Sequence, residues 1–191
     1  MAAETVKQLH ARGVSEALNL SYAPDQIDYS PMISVLQEAN IDVIYVGGYS
    51  AEVGLILRQA RNQGFDAQLI SGDAVVTEDF WLTAGAAGEG ALMTFFPDAR
   101  ETLAAAPTVA QFRARGFEPE GYTLYAYAAV QVWAEAVAQA ATLDPQAVIA
   151  ALQTGTFNTV LGEIAFDSKG DVRGTNFVWY VWRDGRYILK Q

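Results

Sequence analysis

Apolar positions alternate between two spacings along the first hundred residues. Between residues 51 and 63, Val53, Ile56, Leu57 and Ala60 recur at helical spacing, and Gly64 closes the run. Before it, residues 41–46 form a short run with apolar residues on both faces apart from Asp42, as expected of a parallel strand covered from both sides, and after it a strand is predicted at 68–70. Upstream, residues 2–12 predict a helix with Val6 and Leu9 inward, followed through Gly13 by a strand at 17–22. After a turn with two prolines, Asp28 or Ser30 is placed to cap a helix whose stripe is Met32, Ile33, Leu36 and Ala39. Three strand and helix alternations within 70 residues predict a parallel α/β sheet with right-handed crossovers.

A short helix at 77–84 and a strand at 91–95 continue the pattern, which then changes at Pro97. Helices are predicted at 107–115, at 122–140 and from the Asp144-Pro145 start to Leu152. The long helix has Tyr122, Tyr125, Ala129, Val132, Trp133, Ala136 and Ala140 on or near one face. Residues 107–153 therefore read as helical throughout, and need a sheet they do not contain. The end is β-rich: a strand at 160–166, a turn at 167–170, and strands at 176–182 and 187–189. Asp184-Gly185 between the last two favours a type I′ hairpin turn. Residues 177–182 are aromatic on both faces and should be well covered.

Composition narrows the function. The chain has 191 residues, is 51% hydrophobic and has a formal net charge of −10. It can bury a sizeable core, and a surface of this sign repels phosphate backbones, so no nucleic-acid partner is expected. It has no cysteine and a single histidine, His10, read as a solvated surface residue; no zinc or iron site of the usual ligand type is expected. No run reaches the ~18 apolar residues of a membrane span. The first residues are charged from Glu4 and are not a secretory signal, which suits a cytoplasmic protein or one whose leader has been removed.

The candidate chemistry sits at two glycine turns, Gly47-Gly48-Tyr49-Ser50 and Gly72-Asp73. The first lacks the Gly-x-Gly-x-x-Gly spacing and the lysine of phosphate cradles, and Glu52 adds negative charge where a phosphate would sit. A serine nucleophile has no histidine after residue 10 to serve as base, so no catalytic residues are assigned. Asp73 and Glu78 form a conceivable carboxylate pair, but Glu78 in a first helical turn is explained by the helix dipole. What remains is binding: Tyr49 offers a ring and hydroxyl, Asp73 suits an ammonium group, and Gly48 and Gly72 allow close approach to the backbone. Asp73 as an ordinary turn or cap residue is the bland alternative.

Four stretches in order, IDVIYVGGYSAEVGLILRQARNQG with SGD after it, EGYTLYAYAAVQVWAEAV, FNTVLGEIAFDSKGDVRG and FVWYVWRDGRY, resemble the second half of branched-chain amino acid binding proteins. These are the substrate-binding components of ABC importers with the type I periplasmic binding fold. The resemblance implies an α/β, flavodoxin-like lobe at 1–98, a helical remnant of an incomplete first lobe at 99–168, and a crossing with a hairpin returning to the second lobe at 169–191. It implies an aliphatic, branched-chain or related amino acid as ligand, no cofactor, a periplasmic location and a membrane permease as partner. Tyr49 would pack against or hydrogen-bond the amino acid, Asp73 would accept from its α-ammonium, and Tyr122 would present an aromatic wall.

In the family the first lobe supplies the hydroxyls and amides that hold the α-carboxylate, and those residues have no counterpart here. Weak or absent affinity for free ligand is therefore expected of the isolated chain. Burial of the helical faces around Tyr125, Trp133 and Val137 against a second copy or a complementing N-terminal half is also expected. Two other readings are a non-binding oligomerisation or interaction module with idle pocket residues, and a ligand-sensing regulatory domain.

Overall fold

The computed structural model describes residues 2–174 and 176–190. In chain order the elements begin with α1 (Ala2–His10), α2 (Ser30–Glu38), β1 (Val43–Val46), α3 (Ser50–Asn62) and β2 (Gln68–Ser71). After a 3-10 turn at Asp73–Val75 come α4 (Glu78–Ala84) and β3 (Leu92–Phe95). Next are α5 (Ala106–Ala114), α6 (Thr123–Ala140), α7 (Pro145–Thr154), β4 (Thr156–Thr159) and β5 (Gly162–Ala165). The chain finishes with β6 (Val178–Arg183) and β7 (Arg186–Leu189). It divides into two compact units, one of Met1–Phe95 with Phe177–Gln191 and the other of Phe96–Asn176.

The first unit is a five-stranded sheet in the order β1-β2-β3-β6-β7. β1, β2 and β3 run parallel, as their apolar runs predict, and the β6–β7 hairpin adds antiparallel strands beyond β3. Asp184 and Gly185 both take positive φ, 49° and 79°, which the type I′ turn requires. α3 buries Val53, Ile56, Leu57 and Ala60, the four positions its spacing selects. With Leu69, Phe80, Met93 and Trp182 they belong to the unit's core. Coverage of β6 changes along its length: Tyr180, Val181 and Trp182, which alternate between the two faces, are buried, while Phe177 and Trp179 at its start are exposed. The covering predicted from its aromatic content therefore holds for residues 180–182 and fails at Phe177 and Trp179.

Two upstream expectations also change. Residues 17–22 form no strand, although Leu18, Leu20 and Tyr22 alternate with polar residues. A strand needs a hydrogen-bonding neighbour, and β1 stands at the edge of the sheet without pairing to this segment. Val14, Leu18 and Leu20 remain exposed, as do Val43 and Tyr45 on β1. α1 forms where predicted but buries no residue, so Val6 and Leu9 face no core.

In the second unit α6 packs with α7 and the β4–β5 hairpin. The buried residues of α6 are Leu124, Ala128, Val132 and Ala136, spaced four apart. Leu124 and Ala128 meet Ala105, Val109 and Val160; Val132 and Ala136 meet Val148 and Phe157. The buried stripe is thus rotated from the predicted one: Tyr122, Ala129 and Trp133 are exposed. The prediction followed the bulky aromatics, whereas helix and hairpin come together over the small alanines. Of the predicted strand at 160–166, Gly162–Ala165 forms as β5; residues 160–161 are instead the turn of a hairpin with β4, where the Thr159 hydroxyl donates to the Gly162 carbonyl at 2.8 Å and accepts from the Leu161 amide at 3.0 Å. Asp144 caps α7 as predicted, its carboxylate accepting from the Ala147 amide at 3.0 Å.

Candidate ligand-binding site

The two glycine turns leave adjacent parallel strands at their carboxyl ends, the edge of an open α/β sheet where ligands bind. Two serines tie these turns together. Ser71, the last residue of β2, donates its hydroxyl to the Val46 carbonyl at the end of β1, at 2.8 Å. Ser50, the first residue of α3, donates to the Ala74 carbonyl inside the Asp73–Val75 turn. The Thr77 hydroxyl, 3.1 Å from that of Ser50, is left to donate to it. The indole N–H of Trp182 donates to the next carbonyl, that of Val75, at 3.0 Å.

These ties set the candidate residues. Tyr49 occupies the N-cap position of α3 in extended conformation, φ −87° and ψ 163°, with its side chain 77% exposed. Asp73 opens the 3-10 turn and is half-buried, and Gly72 before it is buried with φ −89°. Gly48 behaves differently from expectation. A Cβ there would stand 1.8 Å from the Tyr22 hydroxyl, so the close approach its missing side chain permits is made by Tyr22 of the same unit. Tyr22 meets Tyr29 edge to face at 5.5 Å. Burial, then the nearby Glu52 carboxylate, pushes both phenols above their ordinary pKa, so both remain protonated at neutral pH. The Tyr29 hydroxyl is buried and has no hydrogen-bond partner among the described residues.

Tyr122 belongs to the second unit. It is the N-cap residue of α6, exposed, with its carbonyl accepting from the Ala126 amide at 2.8 Å. Sequence reasoning missed Ser71, Trp182 and Tyr22 altogether, and read Ser50 only as part of a turn. Trp182 lies 107 residues from the carbonyl it holds, so no local signal marks it. His10, expected to be simply solvated, sits 2.7 Å from Glu16 at the surface. Among the described residues, no three His, Cys, Asp or Glu side chains group so as to hold a metal ion.

A phenol, a carboxylate and backbone amides on one rigid edge suit reversible recognition of a small cationic or zwitterionic ligand. The sequence profile described as "Periplasmic binding protein" matches residues 1–185. The chain belongs to this family. Curated members similar to it include a Leu/Ile/Val-binding protein homolog 1 of Brucella suis, 44% identical over 98% of this chain and 52% of that protein. A leucine-, isoleucine-, valine-, threonine- and alanine-binding protein of Pseudomonas aeruginosa is 33% identical over 95% of this chain and 49% of its own length. The chain spans about half the length of the curated relatives it matches. Among solved structures, a leucine binding protein from Thermotoga maritima superposes with a TM-score of 0.88 at 25% identity, over 100% of this chain and 55% of that one. The fold is thus the α/β fold of type I periplasmic binding proteins, represented here in part.

Proposed function

We propose that this chain contributes one side of an amino-acid binding site in the solute-binding component of an ABC importer working in the periplasm. The ligand is a branched-chain or related amino acid. Asp73 accepts from its α-ammonium group, and Tyr49 covers it. The supporting observation is the pinned carboxyl edge, where Ser50 and Ser71 hold the turns bearing Tyr49 and Asp73 against each other. Preorganisation of this kind lowers the ordering cost of binding. Similarity to relatives named for leucine, isoleucine and valine favours an aliphatic side chain. A periplasmic location and a membrane permease as partner follow from the same reading.

The other side of the site comes from a complementing N-terminal half or from a second copy. The open edge of β1, with Val43 and Tyr45 exposed, and the exposed Val130 and Trp133 of α6 support such a partner. They also favour the second reading, in which the chain is an assembly module with idle pocket residues. Calorimetric titration with leucine, isoleucine and valine, of the chain alone and mixed with the N-terminal half of a Leu/Ile/Val-binding relative, separates the two. Heat of binding in the mixture is the expected result. Absence of heat in both samples removes the binding reading and leaves assembly.

A further inference from the structure

We propose that Ser50 and Trp182 are positioning residues for Asp73, acting through the two successive carbonyl groups that follow it. The inference rests on the reading that Asp73 meets the ligand's ammonium group. The turn Asp73–Val75 is only three residues long and closes on itself weakly, with the Val76 amide donating to the Asp73 carbonyl at 3.4 Å. Its other restraints come from outside. The Ser50 hydroxyl reaches the Ala74 carbonyl from the start of α3, and the Trp182 indole N–H reaches the Val75 carbonyl from β6.

Neither donor is free to drift. Ser50 is held in addition by the Thr77 hydroxyl, and Trp182 is 2% exposed. The Trp182 ring stacks on Trp81 at 5.6 Å and meets Phe80 and Tyr187 at 5.5 Å each. Fixing these two peptide planes fixes the backbone angles of Val75 between them, and the second plane carries the Val76 amide that donates to the Asp73 carbonyl, so the peptide that follows Asp73 is tied to the same frame. Ser50 also adjoins Tyr49, so one hydroxyl sets the spacing of both candidate ligand groups. Trp182 extends this control to the C-terminal hairpin, which otherwise lies at the far edge of the sheet from β1.

The test uses Trp182→Phe, which keeps a ring and removes the N–H, together with Ser50→Ala and Ser50→Thr. Amide hydrogen exchange is followed on the chain alone. Affinity is measured, in whichever sample of the titration above binds, for L-leucine and for 4-methylpentanoate, its analogue without the amino group. Expected results are faster exchange at Val76 in Trp182→Phe and Ser50→Ala, and about tenfold weaker leucine binding with 4-methylpentanoate unchanged. Ser50→Thr, which retains the hydroxyl, restores both. Equal weakening of the two ligands, or unchanged leucine affinity in a folded variant, overturns the positioning role. If the unsubstituted protein binds no leucine, the reading of Asp73 fails; unchanged Val76 exchange in both variants then overturns the restraint of the turn as well. Should Trp182→Phe not fold, Ser50→Ala carries the same comparison from a different element.

Discussion

The Ser71 hydroxyl donates to the Val46 carbonyl at 2.8 Å, joining the last residues of two parallel strands that are also partners in the sheet register. Ser71 is buried, so the bond is made out of water and the carbonyl has little access to a substitute donor. Replacing Ser71 with alanine is expected to lower stability by about 1–2 kcal/mol, read as a lower denaturant midpoint with unchanged slope.

Gly48→Ala tests the contact that fills the site's glycine turn. The added Cβ would collide with the Tyr22 hydroxyl, and because Tyr22 is half-buried its ring can swing away at moderate cost. A loss of about 1 kcal/mol is expected. In the Tyr22→Ala background the same substitution should be close to neutral, and a double-mutant cycle measures the difference.

Asp73→Asn keeps the shape of the side chain and removes its charge. For a protein that binds leucine, affinity should fall by about 1–3 kcal/mol through loss of a charge-assisted hydrogen bond. Calorimetry that returns equal affinity for both proteins removes Asp73 from the site.

The second unit carries its own pH dependence. Hydrogen bonding from Arg113 and then from Arg100 holds the Glu118 carboxyl below its ordinary value of 4.5. Over that range the unfolded chain binds the proton more readily than the folded one, so stability rises with pH. The contribution is present above the unfolded value near 4.5 and is lost as pH falls through the lower folded value. Thermal unfolding between about pH 3 and pH 6 should show a shallower acid slope for Glu118→Gln than for the unsubstituted chain. The magnitude is small, because the pair is partly exposed to solvent.

Local features of the sequence were legible where local physics decides them. The buried face of α3, the Asp144 cap and the Asp184-Gly185 turn each follow from spacing or backbone preference within a few residues. Residues 17–22 misled because their period-2 alternation states a preference for extended backbone but not the presence of a partner strand. α6 misled because the bulk of Trp133 and Tyr122 outweighed the alanines that let other elements approach. At the site, the glycine turns marked the edge that bears Tyr49 and Asp73. Ser50, Ser71 and Trp182, which hold that edge, act across 24, 25 and 107 residues and carry no signature in their own neighbourhoods.

The return of β6 and β7 to a sheet begun by β1–β3 has a kinetic consequence. The first unit is interrupted by about 80 residues, all of them in the second unit, whose own contacts are contiguous in sequence. On a ribosome adding ~5–20 residues per second, β3 emerges on the order of several seconds before the strand that flanks it. During that interval Val75 lacks the Trp182 donor, and Met93 and Phe95 lack their antiparallel neighbour. The second unit can fold without waiting, whereas the sheet that bears Asp73 is completed only once β6 and β7 have emerged.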